Sequence, residues 1–323
     1  MSEILVLCEH RRGALREVSF ELLALGRRLA GGERAVCALL LGHGAAVLGE
    51  KLCAAADRVL LVEDAGLDAY DAEPYLAALE AVILARRPAL LLVAHSAVGM
   101  DLAPALAARA GLPLVTDCLD VQLAQGALEV VRRELAGKVG ARLRLAAAGT
   151  HLVTVRPGCF PAAPQGGKAA AVERLPAPDR GSRRGRRLLG YADLALGDVD
   201  ISAAPVLVAV GRGVGKPENL AAVESFARAV GATLCCSRPV ADKGWLPKSR
   251  QVGTSGSVVK PKLYLAFGIS GAYQHVAGMR QAETIIAVNK DPSAPIFEVA
   301  HYGIAADMFE VLPALQARLT RAS

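Results

Sequence analysis

Over most of the chain, short apolar runs alternate with longer segments whose apolar residues recur every three or four positions. Ile4–Cys8, Ala35–Leu41, Arg58–Val62, Ala89–Ala94 and Leu114–Thr116 are of the first kind. They predict strands, almost wholly apolar because both faces are covered. Arg16–Ala30, Ala45–Ala56, Glu73–Arg86 and Leu102–Ala110 carry the second pattern and predict helices. The first of these ends at Gly31-Gly32, and the third stops before Pro88. From Asp120 the rhythm changes. Val121–Leu123 and Leu128–Arg132 flank the turn Ala124-Gln-Gly-Ala127 and predict an antiparallel pair. Leu143–Ala146 and His151–Arg156 add strand-like pieces, so the first domain is expected to close on an antiparallel edge ending at Thr154-Val-Arg-Pro-Gly-Cys-Phe160.

Residues 161–200, rich in Pro, Gly, Ala and Arg, read as the passage between domains, with an extended strand near Ala171–Arg174. The alternation then resumes. Val206–Val210, Thr233–Cys236, Lys262–Phe267, Thr284–Val288 and Ile296–Val299 predict five strands; Asn219–Val230, a segment after Gly271, and Asp307–Leu319 predict helices. Pro239–Lys260 reads as a loop. The expected fold class is α/β, with two domains over residues 1–200 and 201–323. Each has a mainly parallel sheet flanked by helices, and the second is doubly wound.

Composition narrows the classes. The chain has 323 residues, enough for two domains, with 53% hydrophobic but only 4% aromatic residues, which suits Ala-rich helices over aliphatic strands. No uninterrupted apolar stretch reaches the roughly 20 residues of a membrane span, so no membrane insertion is expected. Met1-Ser-Glu-Ile-Leu-Val-Leu-Cys-Glu9 lacks a basic region ahead of its apolar run and reads as a first strand, which predicts a cytoplasmic protein. Much of the net charge of +6 sits in Arg180-Gly-Ser-Arg-Arg-Gly-Arg-Arg187. That run has no interleaved aromatic residues and reads as a solvated linker, not a nucleic-acid surface. The seven cysteines are scattered and form no C-x-x-C, so they read as buried small hydrophobes, and no metal site is visible.

The candidate chemistry lies where predicted strands of the second domain end. Gly211, Arg212 and Gly213 follow the first strand; Ser237 and Arg238 the second; Gly268, Ser270 and Gly271 the third; Asn289 and Asp291 the fourth. In a parallel sheet these carboxyl ends share one edge, where ligands bind. The stretch Lys262-Leu-Tyr-Leu-Ala-Phe-Gly-Ile-Ser-Gly-Ala-Tyr-Gln-His275 is a strand running through glycines into a helix. Unpaired N–H groups and the helix dipole attract a phosphate at such a start, and His275 stands about one turn in. Ser270 as an ordinary helix cap is the competing reading. Gly211-Arg-Gly-Val-Gly-Lys216 lacks the P-loop spacing and is only loosely like a dinucleotide fingerprint. Repetition at four strand ends points to an elongated phosphate-containing ligand such as a dinucleotide. In the first domain His95, Ser96 and Asp101 mark a strand-to-helix turn, with Ser96 read as a cap, not a nucleophile.

The runs Ser237-Arg-Pro-Val-Ala-Asp-Lys-Gly-Trp-Leu-Pro247, Arg250-Gln-Val-Gly253, Pro261 through Met279, and Ile286-Ala-Val-Asn-Lys-Asp-Pro-Ser-Ala-Pro-Ile-Phe297 resemble the electron transfer flavoprotein alpha subunit family. Ile4-Leu-Val-Leu-Cys-Glu-His10 and Thr154-Val-Arg-Pro157 are similar to it as well. The resemblance implies a heterodimer with a beta subunit that holds AMP or a second FAD. It implies one FAD in the second domain of this chain, and electron transfer from acyl-CoA dehydrogenases to a membrane quinone oxidoreductase. Some relatives bifurcate electrons from NADH.

By the same resemblance Arg238 lies over the flavin ring, where its charge stabilises the reduced flavin, and His275 bonds the pyrimidine edge. Ser270 and Gly271 hold the pyrophosphate, Asn289 and Asp291 serve the adenosine half, and Arg212, Gly213, Ser237, Gly268 and Gln274 complete the cradle. Gln251 and Gly253 lead into the loop that passes the central ring. Two departures stand out. The family has Gln-Thr-Gly-Lys where this chain has Thr254-Ser-Gly-Ser257, so Ser255 takes the place of a threonine that bonds flavin N5. The family has Ala-Asp-Tyr-Gly where this chain has Ala300-His-Tyr-Gly303, which sets His301 in place of an acid near the adenosine. Two other classes remain open on the residues alone: a nicotinamide-dependent oxidoreductase using the Gly211 turn, and a nucleotide-binding regulatory protein with an AMP-type site in the first domain.

Overall fold

The computed structural model describes residues 3–124, 127–146, 149–162, 170–177 and 199–322. The chain forms two compact units, Met1–Leu189 and Gly190–Ser323. The Arg-rich run of residues 180–187 lies outside the described residues.

The first unit runs β1 (Ile4–Cys8), a small hairpin of β2 (His10–Arg11) and β3 (Ala14–Leu15), α1 (Glu17–Ala30), β4 (Val36–Gly42), α2 (Ala46–Leu52), β5 (Arg58–Glu63), α3 (Ala72–Arg86), β6 (Leu90–Ala94) and α4 (Ala97–Ala110). It continues with β7 (Leu114–Ala124), β8 (Ala127–Glu134), β9 (Val139–Ala146), β10 (His151–Val155) and β11 (Ala171–Leu175). Nine strands form one sheet in the order β11-β5-β4-β1-β6-β10-β7-β8-β9. Alternate residues of the same strand enter different cores. Ile4, Val6 and Cys8 pack with α1 and α2, while Leu5 and Leu7 pack with α3 and α4. A period-2 backbone with both faces covered therefore needs apolar residues at every position.

Two expectations are corrected here. β10 is not part of an antiparallel edge; it is an interior strand, parallel to β6 on one side and to β7 on the other. The antiparallel edge is β7-β8-β9, and β11, whose strand character was expected, closes the opposite edge against β5. The pieces Leu114–Thr116 and Val121–Leu123 are one long strand, β7, interrupted by a register shift between Cys118 and Asp120. Polar Thr116-Asp117 ended the apolar pattern without ending the strand. Asp117 takes φ +60, its N–H bonding Thr154 Oγ1 at 2.9 Å and its carboxylate gripped by Arg156.

The second unit runs β12 (Val206–Val210), α5 (Leu220–Ala229), β13 (Thr233–Cys236), α6 (Arg238–Asp242), β14 (Leu263–Phe267), α7 (Tyr273–Met279), β15 (Thr284–Asn289), β16 (Tyr302–Ala305) and α8 (Met308–Ala322). Its five strands are all parallel, in the order β13-β12-β14-β15-β16. α7 covers one face over Leu207 and Ala209, and α5 and α8 cover the other over Val208 and Val210. The expected fifth strand at Ile296–Val299 is instead a 3-10 turn, Pro295–Glu298, because Pro295 presets its first residue. The fifth strand is β16, an exposed edge that lacks the buried-strand pattern. The loop expected over Pro239–Lys260 contains most of α6 and a 3-10 turn at Lys248–Arg250.

The winding direction reverses between β12 and β14, and their carboxyl ends meet through glycines. A Cβ on Gly211 would lie 2.2 Å from the Gly268 carbonyl oxygen, and one on Gly268, at φ +62, would lie 2.8 Å from the Gly213 Cα. Gly231 shares the left-handed backbone, at φ +63, but faces open space. Gly231→Ala should therefore cost about 1–2 kcal/mol for the backbone alone. Gly268→Ala should cost a further ~1–3 kcal/mol for the collision. Urea unfolding of the two variants measures the difference, and equal losses would contradict the packing role.

Candidate functional site

At the carboxyl edge of the second sheet, β12 delivers Gly211, Arg212 and Gly213, β13 delivers Ser237 and Arg238, β14 delivers Gly268, Ser270 and Gly271, and β15 delivers Asn289 and Asp291. Asn289 is partly spent on structure: its Nδ2 donates to the Ile269 carbonyl at 2.9 Å and its Oδ1 accepts from the Asp291 N–H at 3.0 Å. Asp291 in turn closes a tight turn onto Ser293, and those hydrogen bonds lower its pKa. His301 is set apart from this group. It precedes β16, at the amino end of the sheet, where its Nδ1 accepts the Ile285 N–H at 2.9 Å. The residue that β16 does deliver to the carboxyl edge is Asp307, an exposed carboxylate that caps α8 by accepting the Phe309 N–H. In sequence Asp307 reads as the first residue of the closing helix; an Asp at the start of an apolar helical pattern was the available signal of a cap.

Ser270 is not a helix cap. The cap residue of α7 is Ala272, and no side chain bonds to the helix start. Ser270 is exposed, its carbonyl accepts the Ile296 N–H at 3.1 Å, and a Cβ on Gly271 would lie 2.1 Å from that same nitrogen. The turn is thus held from behind by the 295–296 segment, and the cap residue of α7 makes no side-chain cap hydrogen bond.

The loop 251–257 lies on α7. The Thr254 N–H donates to the Gln274 carbonyl at 2.9 Å, and a Cβ on Gly253 would lie 2.8 Å from the same oxygen. Gln251 is 1% exposed, and its Nε2 donates to Ser255 Oγ at 2.9 Å. Thr254 and Ser255 are exposed. The structure therefore gathers Gln251, Gly253, Thr254 and Ser255 beside Gln274 and His275.

His275 is 6% exposed and lies 2.9 Å, through Nε2, from the hydroxyl of fully buried Tyr264. Its Nδ1 is buried with no hydrogen-bond partner. Burial lowers its pKa to about 4, with the Val252 backbone pulling weakly the other way. Arg238, the first residue of α6, is 66% exposed and pairs with Asp242 at 3.2 Å. A screened pair of this kind is worth little, so the guanidinium is free to serve another anion.

The first unit treats its own reversal point, between β1 and β6, differently. Ser96 caps α4, accepting the Gly99 N–H at 3.1 Å, and donates to the Glu9 carboxylate at 2.5 Å. Burial raises the Glu9 pKa. A protein carboxylate already stands where that helix start would attract an anion. Asp101 accepts from Tyr70 at 2.7 Å. Among the described residues no cluster of His, Cys, Asp and Glu could hold a metal, and no helix is long and apolar enough to cross a membrane.

His275 gives a pH signature. Its folded pKa of about 4 lies below its ordinary 6.5, so the unfolded chain binds the extra proton between these values. The stability it contributes is present above pH 6.5 and falls as pH drops toward 4, by about 1.4 kcal/mol per unit. Denaturant unfolding between pH 7 and 4 should show a smaller loss for His275→Gln than for the wild type; parallel curves would refute the assignment.

Comparison with known proteins agrees with this geometry. The Electron transfer flavoprotein domain profile matches residues 4–180, and the Electron transfer flavoprotein FAD-binding domain profile matches residues 200–280. The chain is 39% identical to the electron transfer flavoprotein subunit alpha of Methylophilus methylotrophus, covering 99% of each chain. It is 38% identical to Protein FixB of Clostridium saccharobutylicum, covering 97% of this chain and 95% of that one. It is 36% identical to the subunit alpha of Bacillus subtilis, covering 97% and 96%. With matching profiles over both units and end-to-end relatives, the chain belongs to the electron transfer flavoprotein alpha subunit family.

Proposed function

We propose that the second unit, over residues 201–323, binds FAD along the carboxyl edge of its sheet, and that the chain carries electrons as one half of a heterodimer with a beta subunit. The observation that carries the reading is the contrast between two reversal points. In the first unit the helix start is capped by Ser96 and faces Glu9; in the second, α7 has no side-chain cap and is surrounded by glycine turns. An anionic dinucleotide fits the second and is repelled by the first. This disfavours the AMP-type regulatory site in the first unit, which acts instead as scaffold and dimer surface.

The residues present fit a flavin dinucleotide. Ser270 and Gly271 bring main-chain N–H groups toward the pyrophosphate, while Gly268, whose own N–H is bonded to the Val288 carbonyl, allows the close approach beside Arg212 and Gly213. Asn289 and Asp307 stand at the ends of β15 and β16, toward the adenosine half, while His301 lies too far around the sheet to replace an acid there. Ser237 holds the start of α6, from which Arg238 places a permanent charge near the ring. Gln274 and His275 stand beside the loop of Ser255, with His275 neutral. When bound, the flavin would supply the redox chemistry, and on this reading the donors are acyl-CoA dehydrogenases and the acceptor a membrane quinone oxidoreductase.

The absorbance spectrum of the complex purified with its beta subunit tests the reading. About one flavin per heterodimer is expected. About two, with NADH reactivity, would establish the bifurcating form. A colourless complex that takes up no FAD would remove the flavin reading in favour of the nicotinamide one. Arg238→Ala is expected to keep the flavin but lower its potential by about 59 mV for a tenfold loss of reduced-state stabilisation. Arg238→Lys should restore part of the shift.

A further inference from the structure

The side chain of Gln251 does not face outward. It is 1% exposed, and it spends its amide on the exposed Ser255 hydroxyl at 2.9 Å. The main chain around it is closed as tightly. The Gln251 N–H donates to the Lys248 carbonyl at 3.1 Å, and its carbonyl accepts the Ser257 N–H at 2.8 Å. A Cβ on Gly256 would lie 2.3 Å from that carbonyl oxygen, so only glycine allows the loop to fold back this far. Gln251 is therefore a rigid, buried amide with its N–H directed at one hydroxyl.

A serine hydroxyl has one proton to give and two lone pairs to receive with. Accepting from Gln251 fills one lone pair and leaves the proton to point elsewhere. Ser255 is exposed, so elsewhere is outward. A free serine would spread its proton over three rotamers. Threonine narrows χ1, the torsion that places its oxygen, through its extra methyl group, and serine does not. At Ser255 the constraint has to come from another group, and Gln251 is that group.

We propose that Gln251 is a positioning residue: its buried amide fixes Ser255 as an outward hydrogen-bond donor to the ring nitrogen of the flavin that faces this loop. The inference rests on the flavin reading above and deepens it. A fixed donor favours the form of the ring in which that nitrogen accepts with the most negative charge. The first electron taken up increases that charge, so the oriented donor raises the potential of the first one-electron step. Gln251 acts through Ser255 and needs no contact with the flavin.

The test is a double-mutant cycle on the heterodimer, read by potentiometric titration. Gln251→Met keeps length and removes the donor without adding charge. It is expected to lower the first one-electron potential by about 30–60 mV, roughly a three- to tenfold change. Ser255→Ala is expected to lower it by at least as much, and the double variant to match Ser255→Ala alone. Adding Ser255→Thr to Gln251→Met should restore most of the loss, because the methyl group supplies the missing restriction. Additive shifts, or an unchanged potential in Gln251→Met, would overturn the proposal.

A second readout is independent of electron transfer. In the flavin-free complex the Gln251 side-chain N–H protons should exchange with solvent several-fold faster in Ser255→Ala than in wild type. Equal exchange, or a hydroxyl found donating to a turned-over Gln251 amide, would equally overturn it. A complex that binds no flavin sinks the functional reading itself; a flavin-loaded complex with an additive cycle sinks only the role of Gln251.

Discussion

Close approach of two strand ends governs the second unit. β12 and β14 lie side by side in the sheet, and the chain winds away from them in opposite directions. Their ends must pass within backbone contact, and Gly211, Gly213 and Gly268 make that possible: the Gly213 N–H reaches the Gly268 carbonyl at 3.0 Å. From this contact the rest follows. Gly268 turns the chain toward Ser270 and Gly271, which place α7, and α7 in turn supports the loop of Gln251 and Ser255 through Gln274. The glycines at this edge are needed first by the protein's own packing. Access for a ligand backbone is a consequence of the same smallness.

The two units use one architecture to opposite ends. Each has a mainly parallel sheet with a reversal point, and each sends a helix away from it. In the first unit the helix start is satisfied from within, by Ser96 and Glu9. In the second the cap position is Ala272, which supplies no side-chain cap. The difference lies in two or three side chains, not in the fold. Fold class alone therefore could not have told which unit binds a ligand.

Much of the architecture was legible in the sequence because buried parallel strands leave a strong local trace. Ile4–Cys8 or Val206–Val210 can hardly be anything but a strand covered on both faces. What escaped was set by partners distant in sequence. β10 follows an antiparallel pair yet inserts between β6 and β7, and nothing in His151–Val155 reveals which neighbours it will find. β16 is an exposed edge strand, so burial never shaped its composition, and the apolar Ile296–Val299 drew the strand assignment instead. That error moved the expected edge by several residues; His301, named from the family motif, lies before β16 at the other end of the sheet. At the site, the strand-end glycines and Ser270 were visible as a pattern. The inward turn of Gln251 was not, since its partner is specified by the loop's closure on Gly256 and not by spacing.

Charge at the site is divided between inside and outside for a physical reason. His275, Tyr264 and Cys235 form a buried group in which each member resists charging: burial lowers the histidine's pKa and raises those of the phenol and the thiol. A permanent charge there would be expensive without a partner. What this group offers a ligand is direction, a neutral ring held by Tyr264, and not charge. The cation of this edge is instead a hydrated one: Arg238 is two thirds exposed and only weakly paired with Asp242. A site that must hold an electron and then release it is well served by this division. Orientation is fixed by burial, while the stabilising charge sits where solvent, salt and a docking partner can moderate it.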